Sequence, residues 1–153
     1  MRPRIYTDTS VIGGCLDPQF RKASTQLIHL FKSGMAILVL SDLTQLELDD
    51  APSEVKAVLD RVPENFREHL ELTEEASNLA RLYIRQGVLS ETKRVDAQHI
   101  AVATVARVDV LVSWNFKHIV NLERIRGYNS VNLKAGYPLL EIRTPREVTS
   151  YDD

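Results

Sequence analysis

Two short apolar runs, Met35 to Leu40 and Val110 to Trp114, constrain the fold of this 153-residue chain most. Each is too brief for a helix and nearly free of polar residues, the pattern of strands buried on both faces in a parallel sheet. Parallel strands need crossover connections, usually helices. The sequence between the runs supplies them. Leu27, Ile28, Leu30 and Phe31 recur at helical spacing and predict a helix from Arg21 to Ser33, with Gly34 at its C-terminal cap. Ser41 reads as the N-cap of a helix carrying Leu43, Leu46 and Glu47 and ended by Pro52; Ser53 begins another, limited by Pro63. Thr73 opens a helix with Leu79, Leu82 and Tyr83 on its apolar stripe, closed by Gly87. Asp96 starts the helical stretch AQHIAVATVARV, and a last helical segment passes through Ile119, Leu122 and Ile125. Arg4 to Asp8 and Leu139 to Ile142 read as further strands, with Gly13 and Gly14 as loop residues. The expectation is a three-layer α/β/α sandwich with a mainly parallel central sheet. No repeat or Ser/Gly-rich linker divides it, so one domain over residues 1–153 is expected.

A chain of this size buries enough surface for a core without staples. Its one cysteine, Cys15, excludes an internal disulfide scaffold and a zinc site built on several thiolates. No apolar run approaches the roughly 20 residues of a membrane span, and the N-terminal MRPRIYTDTS lacks a signal-peptide apolar region, so the cytoplasm is the expected location. With 19 Lys and Arg against 21 Asp and Glu, the formal charge is -2, which gives no sign of nucleic-acid binding by bulk positive charge. A local basic rim is still compatible with that sum.

In open α/β sheets ligands bind beyond the carboxyl ends of the strands. Asp8 ends the first strand there, Ser41 follows the second and Asn115 the third; Asp96 begins a helix, and Glu47 lies two turns into the helix leaving the second strand. Each also has an ordinary structural role open to it: turn former for Asp8 and Asn115, N-cap for Asp96, solvated charge for Glu47 beside Asp49 and Asp50. Together at one edge they point to converging carboxylates. Carboxylates with no thiol or histidine cluster suit a hard, oxygen-seeking cation such as Mg²⁺ or Mn²⁺.

The segments IYTDTSVI, SDLTQLEL, VDAQHIAVATVARVDVLVSWNFKHI and NLKAGYPLLEIRTPREV, in that order and spacing, resemble the PIN domains, especially VapC-like toxins of toxin-antitoxin modules. The resemblance extends over nearly the whole chain. It implies a PIN-like fold and a metal-dependent endoribonuclease with an acidic centre, carried here by Asp8, Glu47 and Asp96. The family's frequent fourth acid is replaced by Asn115, which supplies an amide oxygen without charge. It further implies an antitoxin protein that covers the groove, and a homodimer.

On that reading Asp8 and Asp96 hold Mg²⁺ or Mn²⁺ directly, and Glu47 binds the ion or orients one of its waters. Thr9, Ser113 and His99 are candidates to orient the carboxylates, whereas Ser10 reads as a capping residue. Lys93, Arg94 and Lys117 flank the acids and are candidate RNA contacts; Trp114 and Phe116 can stack a base, and His118 can touch a phosphate. Two rivals remain at this point. One is an aspartate-based phosphohydrolase, although Ser10 stands where that chemistry usually has a second Asp. The other is a non-catalytic PIN-like domain that binds RNA or protein.

Overall fold

The computed structural model describes residues 2–149. Five strands form one wholly parallel sheet: β1 (Arg4–Thr7), β2 (Ile37–Ser41), β3 (Arg67–Leu70), β4 (Val110–Val112) and β5 (Ile142–Arg143), in the spatial order β3-β2-β1-β4-β5. Eight α-helices lie among the described residues, besides two single 3₁₀ turns at Glu64–Phe66 and Glu91–Lys93: α1 (Thr9–Gly14), α2 (Arg21–Lys32), α3 (Asp42–Asp49), α4 (Ser53–Asp60), α5 (Glu74–Arg85), α6 (Arg94–Val105), α7 (Leu122–Lys134) and α8 (Pro145–Thr149). None is long and apolar enough to cross a membrane.

Strand alternation divides the core into two layers. Tyr6, Val39, Leu111 and Ile142 face one side, where they pack with Leu79, Tyr83, Ile100 and Tyr128 from α5, α6 and α7. Ile5, Leu38, Leu40 and Val112 face the other and meet Val11, Ile12, Leu27, Phe31 and Val58 from α1, α2 and α4. A sheet buried on both faces must read as continuous hydrophobicity, which is why β2 and β4 were visible as apolar runs. The expected α/β/α sandwich is therefore the architecture found.

Several element boundaries differ from expectation. Gly13 and Gly14 belong to α1, whose six residues are too few for a period to show in the sequence. Gly14 is fixed by close approach: a Cβ there would lie 2.5 Å from Ser24 Oγ and 2.8 Å from Trp114 Nε1. β3 was not anticipated, because an edge strand with half-exposed Arg67, Glu68 and His69 has no apolar run. Leu139 to Leu140 lie outside the last strand, which is confined to Ile142 and Arg143. Lys93 is the N-cap of α6, so Asp96 sits inside its first turn, where a negative charge suits the positive helix end. Gly34, at φ +77°, ends α2 where a side chain would be strained.

The order of the strands also locates the crevice. From β1 the chain turns to β2 and β3 on one side, then crosses to β4 and β5 on the other. The switch point lies at the carboxyl ends of β1 and β4, where Asp8 and Ser113 follow directly.

Candidate active site

Asp8 leaves β1 as the N-cap of α1 and is 6% exposed, yet its carboxylate does not cap that helix. Ser10 Oγ donates to Oδ1 and Ser113 Oγ to Oδ2, both at 2.6 Å. The two serines are themselves fixed, since Ser10 Oγ accepts from the Trp114 amide and Ser113 Oγ from the Asn115 amide, both at 2.9 Å. Burial pushes the Asp8 pKa above the usual carboxylate range; nearby His99 and the serine bonds oppose that shift, and the charge of Glu47 adds to it.

Glu47 projects from α3 to His99 on α6, with Oε1 at 2.7 Å from Nε2. The His99 ring is 2% exposed, and its Nδ1 lies 2.7 Å from the Tyr6 hydroxyl, which is in turn 2.7 Å from Ser41 Oγ. A carboxylate only accepts, so Nε2 carries the proton. In the neutral ring Nδ1 then accepts from Tyr6, Tyr6 accepts from Ser41, and Ser41 Oγ accepts from the Leu43 amide at 3.2 Å. Every group in that chain is satisfied. Residues of β1, β2, α3 and α6 thus fix Glu47 within electrostatic reach of Asp8.

Asp96 has different neighbours. Its charge is felt by His118 and by the Tyr128 hydroxyl, and Lys93, Lys117 and Arg124 act on the same imidazole. His118 is 9% exposed and its Nδ1 has no hydrogen-bond partner; burial lowers its pKa. Among the described residues no three His, Cys, Asp or Glu side chains are close enough to hold one ion directly. Asp8, Glu47 and Asp96 do not all three meet as direct ligands of one ion, an arrangement that the expectation for Glu47, binding the ion or orienting one of its waters, does not require; Glu47 is bonded to His99, and the charge of Asp96 acts on His118.

The chemistry of these donors nevertheless fits a hard cation. Serine protons occupy one lone pair on each Asp8 oxygen, and Glu47 adds negative charge to a buried carboxylate that has no lysine or arginine bonded to it. Mg²⁺ keeps several of its waters, so one or two protein carboxylates suffice and others act through those waters.

Other expected site residues fall as follows. Thr9 Oγ1 is buried without a hydrogen bond, so it does not orient Asp8; its neighbour Ser10 does. Ser113 and His99 contact Asp8 and Glu47 respectively. Asn115 Oδ1 accepts from the His118 amide at 2.9 Å, a turn-forming contact that occupies one of the two lone pairs of the amide oxygen expected at a metal. Arg94 is paired with Glu91, whereas Lys93 and Lys117 are exposed. Trp114 is buried, stacked on Phe20 at 4.3 Å, and only Phe116 of the expected stacking pair is half-exposed. Ser10, expected as a capping residue, instead orients Asp8, while Tyr6 and Phe20 were not among the expected site residues. The short D-T-S spacing was the available signal for Ser10; Tyr6 and Phe20 carry none.

No protein-family model matches the sequence, and no curated protein does. Solved structures do match in fold. The VapBC2 complex of Rickettsia felis bound to promoter DNA aligns over 92% of this chain and 98% of its own, with 13% identity and a TM-score of 0.58. FitAcB of Neisseria gonorrhoeae covers 92% and 97% at 16% identity and 0.57. VapC20 of Mycobacterium tuberculosis, described as a Sarcin-Ricin loop cleaving toxin, covers 90% and 98% at 14% identity and 0.53. At 13–16% identity over more than nine-tenths of the chain, what these VapC-like and Fit structures share with it is the fold.

Proposed function

We propose that the protein is a Mg²⁺- or Mn²⁺-dependent endoribonuclease acting on single-stranded or loop RNA, the toxin of a toxin-antitoxin module and a homodimer. The observation that carries this reading is Asp8: a buried carboxylate at the topological switch point, oriented on both oxygens by serines, with a second carboxylate beside it and no cationic partner bonded to it. Such a group is costly to bury unless a cation compensates it. The fold neighbours include VapC20, a Sarcin-Ricin loop cleaving toxin, and VapBC2, bound to DNA of its own promoter, which agree with the reading.

Asp8 would hold the ion, and Asp96 and Glu47 would bind it directly or through its waters. Bound there, the ion supplies Lewis acidity towards water and phosphate. Ser10 and Ser113 keep the Asp8 oxygens aimed, and the His99 N–H holds Glu47. Lys93, Lys117 and Arg124, gathered near His118, offset the acids for an approaching phosphate chain. The Asp8 pocket also disfavours the phosphohydrolase alternative, because the second acid of such an enzyme is replaced by Ser10, whose hydroxyl is committed to Asp8.

The test is incubation of purified protein with mixed RNA in Mg²⁺, in Mn²⁺ and in EDTA, beside Asp96→Asn. Cleavage with metal that stops in EDTA and in the variant is the expected result. Equal cleavage in all of them overturns the mechanism, and no cleavage in any supports a binding domain.

A further inference from the structure

Next to Asp8 lies an open cavity of about 490 Å³ whose lining includes Ser10, Gly13, Asp17, Phe20, Trp114 and Asn115. Small-molecule sites fall in this range of volume. It shares Ser10 with the carboxylate: the residue that donates to Asp8 also forms the cavity wall. We propose that this cavity is a nucleobase subsite, which takes the base next to the phosphate processed at Asp8; the proposal rests on the nuclease reading.

Three features favour a base over other occupants. Two of the lining residues are aromatic: Phe20 stacks on Trp114 with centroids 4.3 Å apart, and Phe116, outside the lining, lies 6.3 Å from Phe20. Aromatic platforms of this kind bind the flat faces of unpaired bases. The lining also carries polar groups, as a base edge requires. Asp17 Oδ1 accepts from the Gln19 amide and leaves the carboxylate able to accept from a base N–H, while the Arg146 guanidinium, outside the lining, lies over the Trp114 ring at 5.7 Å. Finally, the cavity is held open by an absence of side chain. A Cβ at Gly13 would meet nothing within 4 Å, so the first turns of α1 leave room that almost any other residue would fill.

That last point supplies the variant. Gly13→Leu plugs the cavity from a helical position with free space around it, and leaves Ser10, Ser113 and Asp8 in place. Trp114 supplies the readout, because it is the chain's one tryptophan and its indole N–H, bonded to Ser24 Oγ at 2.8 Å, gives a single resonance. Adenosine, guanosine, cytidine and uridine are titrated in EDTA against wild type, Gly13→Leu and Phe20→Ala. A saturable shift of the indole resonance by at least one nucleoside is expected, weakened roughly tenfold or more in both variants. In parallel, cleavage of mixed-sequence RNA with Mn²⁺ is expected to lose its base preference beside the cut in Gly13→Leu. If nucleosides bind but no RNA is cut, the subsite stands and the nuclease reading falls. If RNA is cut with an unchanged base preference in Gly13→Leu and no nucleoside moves the indole signal, the nuclease stands and the subsite is overturned. An indole signal that ignores nucleosides but responds to an apolar dye, in a protein that cuts no RNA, marks a site for protein side chains and also overturns it.

Discussion

Asp8 and Asp96 come to the same sheet edge, one behind β1 and one in the first turn of α6, but their surroundings are opposite. The Asp8 carboxylate itself is fully held, even though the Thr7 and Thr9 hydroxyls on either side are unpaired: two serines grip it, backbone amides grip the serines, and Glu47 is locked through His99 and Tyr6 to Ser41. Around Asp96 the buried His118 Nδ1 lacks a partner, and exposed lysines replace the serines. The contrast separates what the fold builds in advance from what a ligand must complete. Networks in which every polar group is paired specify one geometry, whereas a buried group left unpaired costs stability that function has to justify.

The largest effects come from removing charge on either side. Asp8→Asn and Asp96→Asn are each expected to abolish RNA cleavage with circular dichroism unchanged, since neither alters volume; wild-type turnover in either would move the chemistry elsewhere. The same Asp8→Asn variant sharpens the comparison through pH. Because the native Asp8 pKa lies above that of the unfolded chain, the native state holds the proton longer. In metal-free protein, stability should therefore fall as pH rises from the ordinary carboxylate value through the native one. Asp8→Asn should flatten that fall and melt at or above wild type at neutral pH; an identical pH profile would deny the carboxylate its burial cost.

Glu47→Gln keeps the shape but loses the charge that His99 Nε2 meets, and activity should drop about 10- to 100-fold. Asp49→Asn and Asp50→Asn should be silent in the same assay. An essential Asp49 would show the wrong residue of α3 was chosen. Tyr6→Phe strands His99 Nδ1 in the core and should cost about 1–3 kcal/mol in denaturant unfolding. His118→Phe should do the reverse on the open side: it removes an unpaired buried nitrogen, so stability should hold or rise by up to about 1 kcal/mol while cleavage weakens. A destabilised His118→Phe would mean the nitrogen has a structural partner.

Much of the fold was legible because a doubly covered parallel sheet announces itself in short apolar runs, and helices announce themselves in caps and stripes, as at Ser41, Thr73 and Gly34. β3 was not, since an edge strand needs no apolar pattern, and α1 is too brief to show a period. At the site, strand ends could be read but hydrogen-bond partners could not. Sequence position favoured Thr9 over Ser10 by adjacency to Asp8, yet the turn into α1 directs Ser10 to the carboxylate. Convergence of Asp8, Glu47 and Asp96 was inferred from their shared edge. Which side chain each acid meets depends on helix rotation, and that sent Glu47 to His99 and left Asp96 by His118.

Whether a cation joins the two halves is tested most directly by melting the protein in MnCl₂ against NaCl of equal ionic strength, which separates binding from screening. At ten times the dissociation constant, binding to the native state alone adds about 1.4 kcal/mol, a rise of roughly 3–5 °C for a domain of this size. Wild type should show that rise, and Asp8→Asn and Asp96→Asn should each lose most of it. A wild-type curve that responds no more to MnCl₂ than to matched NaCl, or a full response in both variants, would contradict a metal centre built on these acids.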